Sequence, residues 1–152
     1  MKRLFILLFL VTPLFAFAQF RGGLGAGYLA PIADFADTHS GGFNVAAIGE
    51  YEFSTVTVVG ELGYNSFSAK KDLIIPRNDL NSVSLMGGIQ AELKAPLYIE
   101  MRLGYYFGDL DATAAIIAPG LRFGKFDINA GVNVLAPNAF FNLRAAYLLF
   151  GE

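Results

Sequence analysis

Apolar and polar side chains alternate residue by residue over long stretches of the chain. In the segment 97–107 the apolar positions are Leu97, Ile99, Met101, Leu103, Tyr105 and Phe107. Successive side chains of a β-strand point to opposite faces, so this segment predicts a strand with one apolar face and one polar face. As a helix, the segment would scatter Glu100 and Arg102 among apolar neighbours and would have no continuous apolar stripe.

The same period of two recurs along most of the chain and predicts about eight strands. The further segments lie at 21–30, 43–53, 56–65, 82–94, 114–124, 126–134 and 141–149. In the first of them, Gly23, Gly25 and Gly27 share one face, where they leave room for large side chains opposite. Pro119 weakens the strand at 114–124 because proline cannot donate to the hydrogen-bond ladder.

Long and short connections alternate between these strands. Longer polar connections are predicted at 31–42, 68–81, 108–113 and 136–138, and tight turns at 54–55, 95–96 and 124–125. In an up-and-down barrel the two sets lie at opposite ends, as in outer-membrane barrels with short periplasmic turns and longer outside loops. Nothing in the architecture of a soluble sandwich or a lipocalin requires the long loops and the short turns to lie at opposite ends.

The composition favours the membrane alternative. The chain is 55% hydrophobic and only 16% charged, yet no apolar run of helix-spanning length follows the first residues. A membrane barrel combines these properties because only one face of each strand is apolar. Cysteine is absent, which excludes disulfides and thiolate chemistry.

The N-terminal residues predict a secretory signal peptide at 1–18, followed by a barrel domain at 19–152. Lys2 and Arg3 form the basic end, an apolar run begins at Leu4, and Ala16-Phe17-Ala18 is an A-x-A cleavage site. Loss of Lys2 and Arg3 leaves nine basic residues of the original 11 against 13 acidic ones, a net charge of −4. This balance does not favour nucleic acid as a partner.

Aromatic residues on the apolar face predict two girdles at the membrane interfaces. The loop-side girdle consists of Tyr28, Phe43, Tyr64, Tyr105, Phe107 and Phe141. The turn-side girdle consists of Tyr51, Phe53, Phe123, Phe126 and Tyr147.

Charged residues on the opposite face predict the interior. They are Glu50, Glu61, Glu92, Glu100, Arg102, Arg122, Asp127 and Arg144. An eight-stranded barrel is narrow enough for side chains to fill it, and an apolar wall in lipid around paired charges satisfies both environments. We therefore expect an all-β, eight-stranded antiparallel up-and-down transmembrane β-barrel whose lumen is closed by ion pairs. The alternative, with the apolar face inward, is a soluble lipocalin-like binder.

The chain resembles the outer-membrane β-barrel domain family, which includes the small OmpA and OmpX type barrels. The resemblance rests on the alternation, the girdles, the loop asymmetry and a final strand, NLRAAYLLF, that ends in Phe150. Family chains usually end on that aromatic, which resembles the signal read by the barrel-assembly machinery. Here Gly151 and Glu152 follow it, and Phe150 has the parity of the inner face.

The resemblance implies a location and a set of partners. It implies a monomer in the bacterial outer membrane with both termini periplasmic, in contact with membrane lipid and lipopolysaccharide. It implies a structural or surface-interaction role. Lys70, Lys71 and Arg77 are candidates for contact with lipopolysaccharide phosphates, although a short charge cluster is more often simply solvated.

Two alternative functions remain open from the sequence. The first is a narrow gated pore or small-molecule transporter. Glutamates outnumber arginines on the inner face, which leaves a small gated path for cations open. The second is an enzyme, because some small outer-membrane barrels modify lipid A. The resemblance to the acyltransferase type implies a set of His, Asp and Ser on outer loops. Asp34, Asp37, His39 and Ser40 share one connection here, but these residue types are also what a solvated loop contains. We expect neither enzymatic activity nor a bound cofactor. We also expect no metal site, because a lone His and scattered carboxylates lack the spacing of metal ligands.

Overall fold

The computed structural model describes residues 20–71 and 77–151. The predicted signal peptide (1–18), Gln19, part of the connection predicted at 68–81 and Glu152 lie outside the described residues. A single short helix, α1 (Asp34–Thr38), interrupts the strands of the described part. The strands are β1 (Phe20–Ile32), β2 (His39–Phe53), β3 (Val56–Ala69), β4 (Leu80–Lys94), β5 (Leu97–Gly108), β6 (Ala112–Phe123), β7 (Phe126–Leu135) and β8 (Asn138–Phe150). No helix among these residues is long and apolar enough to cross a membrane.

The eight described strands form a closed barrel in which each strand pairs with the next in sequence. All pairs are antiparallel, and β8 returns to β1 to close the barrel. The predicted fold class, an eight-stranded up-and-down transmembrane β-barrel, is confirmed. At Pro119 the pairing of β6 with β7 is interrupted between Ile117 and Gly120, as expected for a residue without an N–H donor.

The connections separate into two ends of the barrel. The tight turns at 54–55, 95–96 and 124–125 define the turn end, where β1 also begins and β8 finishes. The connections at 33–38, 70–79, 109–111 and 136–137 define the loop end. The longer connections predicted at 31–42 and 136–138 are too long: β1 runs to Ile32 and β2 starts at His39, while only the two residues 136–137 join β7 to β8. The short sequence His39–Gly42 carries no strand signal of its own, yet it pairs with the end of β3.

The outer wall of the barrel is apolar throughout its height. Leu103, in the middle of β5, is 67% exposed, and the aromatics predicted for the girdles lie on this outer wall. Ring pairs occur at both ends, with Tyr105 and Phe107 4.9 Å apart at the loop end and Phe126 and Tyr147 5.0 Å apart at the turn end. Surface of this kind is stable against hydrocarbon and not against water.

The lumen contains an apolar plug in addition to charges. It consists of Leu29, Phe35, Phe67, Met86, Tyr106, Leu110, Ala114, Ile116, Ala118, Leu135 and Phe140. Helix α1 places Phe35 in the barrel mouth, where its ring lies 5.0 Å from that of Phe67, which in turn lies 5.0 Å from Phe140. The expectation of a charged interior is therefore incomplete, because the loop-end part of the inner face packs as an ordinary hydrophobic core.

Phe150 turns outward, contrary to its parity along the strand. The β1–β8 register shifts between Gly22 and Gly23, and Phe150 is 52% exposed. Its ring covers Gly22, where a methyl group would overlap it, and stacks on Phe20 with centroids 5.7 Å apart. The irregularity thus converts an inward position into an outward aromatic at the closing seam of the barrel.

The apolar wall generates a test of membrane depth. We expect Leu103→Arg to reduce the free energy of unfolding by about 2–4 kcal/mol, because mid-membrane hydrocarbon cannot pair the charge. Leu97→Arg is the matched control on the same face of β5, and at the membrane edge it should cost only about 0–1 kcal/mol. Urea unfolding in lipid vesicles measures both values. Equal costs at the two positions would contradict the assignment of the outer wall to lipid.

Candidate functional site: the lumen and its mouth

Four buried charges meet in the middle of the lumen, and we call them the central quartet. Glu61 Oε2 accepts hydrogen bonds from Nη1 of both Arg102 and Arg144. Glu100 Oε1 lies 2.6 Å from Arg102 Nε and 3.7 Å from Arg144 Nη2. All four residues are at most 5% exposed. Two arginines therefore balance two glutamates with almost no access to water.

A second set of charges lies nearer the turn end, and we call it the turn-end quartet. Arg122 Nη2 lies 2.6 Å from Glu50 Oε1 and 3.1 Å from Asp127 Oδ2. Arg21 Nε lies 3.2 Å from Glu50 Oε2 on the other side, and Arg21 also reaches the less buried Glu52 at 3.3 Å. The four charges of the quartet balance each other as well.

Uncharged side chains hold the turn-end quartet in place. The Tyr98 hydroxyl donates to Asp127 Oδ1 at 2.6 Å and accepts from Asn129 Nδ2 at 3.2 Å. The Arg122 guanidinium carbon lies 5.5 Å from the centre of the Tyr98 ring, a cation–π distance. Gly120 makes room for that ring, because a methyl group there would overlap it.

Two positions differ from the predicted charge set. Glu92 was expected in the lumen, but it is exposed near the turn after β4, where the pairing of β4 with β5 shifts register between Glu92 and Lys94. It only borders a cleft of about 90 Å³ beside Arg122. Arg21 was missed, although its odd position, two residues before Gly23, already places it on the inner face of β1. With Arg21 included and Glu92 removed, the two quartets contain four arginines and four carboxylates, of which three are glutamates, so the expected excess of glutamate over arginine is wrong for the quartets; the less buried Glu52 lies beside them.

A second feature of interest is the mouth cleft, a depression of about 570 Å³ at the loop end. Helix α1, the segment 77–80 and the β7–β8 turn form its walls. The lining combines buried Phe35 and His39 with exposed Arg77 and Asn78. The apolar plug lies beneath it, so the cleft is a closed depression and not an entrance to the lumen.

The connection at 34–40 does not assemble a hydrolytic or acyl-transfer site. The His39 ring is buried, and its Nδ1 lies 2.8 Å from Thr38 Oγ1. Ser40 is exposed and donates instead to the Ser68 carbonyl at 3.4 Å. Asp34 and Asp37 are exposed, and neither bonds to His39 in the described structure. Such chemistry requires a nucleophile next to a base that a third group orients. The Thr38 hydroxyl lies next to the His39 ring, but none of the described carboxylates bonds to that ring to orient it.

The protonation state of His39 follows from its burial. His39 lies at the barrel mouth, beyond the girdle residues Phe43 and Tyr64. Burial lowers the pKa of its imidazole below the ordinary value of 6.5. The ring is therefore neutral at neutral pH. Within 20–71 and 77–151, no group of three His, Asp or Glu side chains is placed to hold a metal ion.

Comparison with known proteins places the fold but not a family. No family model matches the chain, and no curated protein does. Among solved structures, the chain is similar to a de novo designed transmembrane β-barrel, with a TM-score of 0.54 and 13% identity over 85% of this chain and 95% of that one.

A natural barrel shows a similar match. Ail, the attachment invasion locus protein of Yersinia pestis, has a TM-score of 0.51 and 12% identity over 86% of this chain and 95% of Ail. Its complex with the heparin analogue sucrose octasulfate gives the same TM-score with 13% identity. At such identities the likeness establishes the architecture alone.

The central quartet generates a test of stability. We expect Arg102→Met to reduce the free energy of unfolding by about 3–5 kcal/mol, because Glu61 and Glu100 lose a partner in a dry interior. The double variant Arg102→Met/Glu100→Gln should recover part of that loss, since one unpaired charge is removed with the arginine. Urea unfolding in detergent or lipid measures both variants.

Glu92→Gln is the matched control for this test, because the structure places Glu92 outside both quartets. Its effect should stay within about 0.5 kcal/mol, as for an ordinary surface substitution. A loss at Glu92 as large as that at Arg102 would contradict the separation between the buried quartets and the rim.

Proposed function

We propose that the protein is a small closed barrel of the bacterial outer membrane with a structural or surface-interaction role. The observation that carries the proposal is the double closure of the lumen behind an apolar outer wall. Two neutral charge quartets occupy the middle and the turn-end part of the lumen, and the apolar plug fills the loop-end part. A protein built in this way offers its loop end as a surface rather than its interior as a path.

The orientation follows from the lengths of the connections. Short turns face the periplasm and longer loops face outward in such barrels, which puts both termini on the periplasmic side. Lys70, Lys71 and Arg77 then lie on the outer side, where lipopolysaccharide phosphates are their natural partners. The outward Phe150 at the end of β8 supports recognition by the barrel-assembly machinery. We propose that the protein acts as a monomer.

A narrow gated pore is the second candidate, and the composition of the lumen weighs against it. Opening would require displacement of the apolar plug and both quartets together, and unpaired buried charge is costly. Catalysis is not part of the proposal, because His39 bonds to the Thr38 hydroxyl and, among the described residues, to no carboxylate that would orient it as a base.

The absence of cysteine permits a direct test of location and orientation. Asp111→Cys at the loop end should react with a membrane-impermeant maleimide on intact cells, whereas Ser54→Cys at the turn end should react only after the outer membrane is permeabilised. The protein should also fractionate with the outer membrane and migrate differently on a gel with and without boiling. A chain that stays soluble without detergent would overturn the proposal and favour the lipocalin-like alternative.

Planar-bilayer recording tests the closure of the lumen. The wild type should give no steady large conductance, because both the quartets and the plug obstruct it. Arg102→Ala or Arg144→Ala should raise the conductance, and either one combined with Phe140→Ala should raise it further, since the second obstruction is then reduced as well. Steady large conductance of the wild type would establish the pore as the better description.

A further inference from the structure

The mouth cleft has the size and the rigidity of a ligand site. Its volume of about 570 Å³ falls within the range of pockets that hold small molecules. The Lys70 amide donates to the Thr38 carbonyl at 2.9 Å and fixes the end of α1. Across the cleft, the Ala69 amide donates to Asp79 Oδ1 at 2.8 Å and fixes the segment that carries Arg77 and Asn78. The walls are therefore held in place without a ligand.

One buried polar atom at the cleft has no partner. His39 is 6% exposed, and its Nε2 has no hydrogen-bond partner of good geometry among the described residues, although the Asn78 backbone lies close enough to raise the pKa of the ring against the effect of burial. The other ring nitrogen, Nδ1, lies 2.8 Å from Thr38 Oγ1. In the neutral ring Nε2 either donates or accepts one hydrogen bond, according to the tautomer. An unpaired buried ring nitrogen costs free energy, which a ligand hydroxyl would recover, because a hydroxyl both donates and accepts.

The remaining lining selects the class of ligand by its charge and its mixture of groups. Arg77 brings donors and one positive charge, while Asp34 brings acceptors and one negative charge, so the charges cancel. The amides of Asn78 and Asn138 offer both donors and acceptors. A multiply charged anion gains nothing from a neutral lining, whereas a polyol matches donors and acceptors at once. Phe35, Leu80 and Pro137 add apolar contact for the C–H faces of a sugar ring.

We propose that the mouth cleft binds a neutral saccharide unit through its hydroxyl groups. His39 Nε2 forms a hydrogen bond with one hydroxyl, while Arg77, Asn78 and Asn138 bind others at the rim. Because the plug closes the lumen below, the saccharide is held and not transported. This deepens the surface-interaction role and rests on it, since an outward-facing mouth meets both the glycan of lipopolysaccharide and free saccharides.

The test uses the barrel folded in detergent and two kinds of probe. The first is a set of methyl glycosides of glucose, galactose and N-acetylglucosamine, and the second is the core oligosaccharide released from lipopolysaccharide. Each is titrated to about tenfold above a millimolar Kd while amide shifts are followed by NMR. We expect shifts at the mouth with at least one probe. Preference for the core oligosaccharide identifies the membrane glycan as the source, and equal binding of a simple glycoside identifies free saccharide.

Variants separate the cleft from general surface charge. Arg77→Ala and Lys71→Ala each remove one exposed cation from the same connection, but only Arg77 borders the cleft. Arg77→Ala should weaken binding about tenfold, and Lys71→Ala should leave it unchanged. His39→Leu should also abolish binding, because it removes the ring nitrogen that pairs with a ligand hydroxyl; since it removes the Thr38 contact as well, its thermal midpoint is measured alongside to show that the barrel is still folded.

Several outcomes would overturn the proposal. They are the absence of shifts with every probe, equal weakening by Arg77→Ala and Lys71→Ala, and shifts confined to residues away from the mouth. If His39→Leu fails to fold, the Arg77 and Lys71 pair still decides the question. Binding is measured on the isolated barrel, so a negative result here is distinguishable from a failure of the outer-membrane location, which fractionation and maleimide labelling test separately.

Discussion

The architecture depends on the neutralisation of four arginines inside a wall that faces hydrocarbon. Lipid offers no partner to a charge, so each guanidinium in the lumen must find a carboxylate within the barrel. Glu61 serves both Arg102 and Arg144, and Glu50 serves both Arg21 and Arg122. Shared carboxylates tie together strands that are not neighbours in the barrel.

These cross-lumen pairs constrain the wall as much as they fill the space. Glu61 on β3 reaches Arg144 on β8, and Glu50 on β2 reaches Arg122 on β6, so a shift in the register of one strand would separate charges across the whole barrel. Inner-wall glycines make the arrangement fit: a methyl group at Gly88 would collide with Arg102. Hydrogen bonds between strand backbones form the barrel, and the ion pairs across the lumen favour one register of its strands.

The sequence was informative wherever a period of two was enough. It supplied the strand number, the apolar outer wall, the turns and the inward position of most of the charged residues, because alternation carries all of these. It failed where the strand leaves that period or where the neighbours come from other strands. Glu92 has inward parity but lies where β4 opens into the turn, and Phe150 reverses its direction at a register shift.

The apolar plug and the mouth cleft were not predictable for a related reason. Phe67, Leu135 and Phe140 have the parity of the inner face, but only three-dimensional proximity shows that they form one cluster with Phe35 of α1. The cleft likewise joins α1, the segment before β4 and the β7–β8 turn, which are distant in sequence. His39 stands out only when the partners of both its ring nitrogens are known.

The balance of charge in the lumen has an electrical consequence. A membrane potential does work on a body only in proportion to the charge that moves through it. Within the two quartets, Arg21, Arg102, Arg122 and Arg144 match Glu50, Glu61, Glu100 and Asp127 one for one, and the less buried Glu52 lies outside them beside Arg21. The two quartets together therefore carry no net gating charge, and a potential difference across the membrane exerts no net force that would drive them out. Closure by these ion pairs is in this sense insensitive to voltage, although every member of the two quartets is charged.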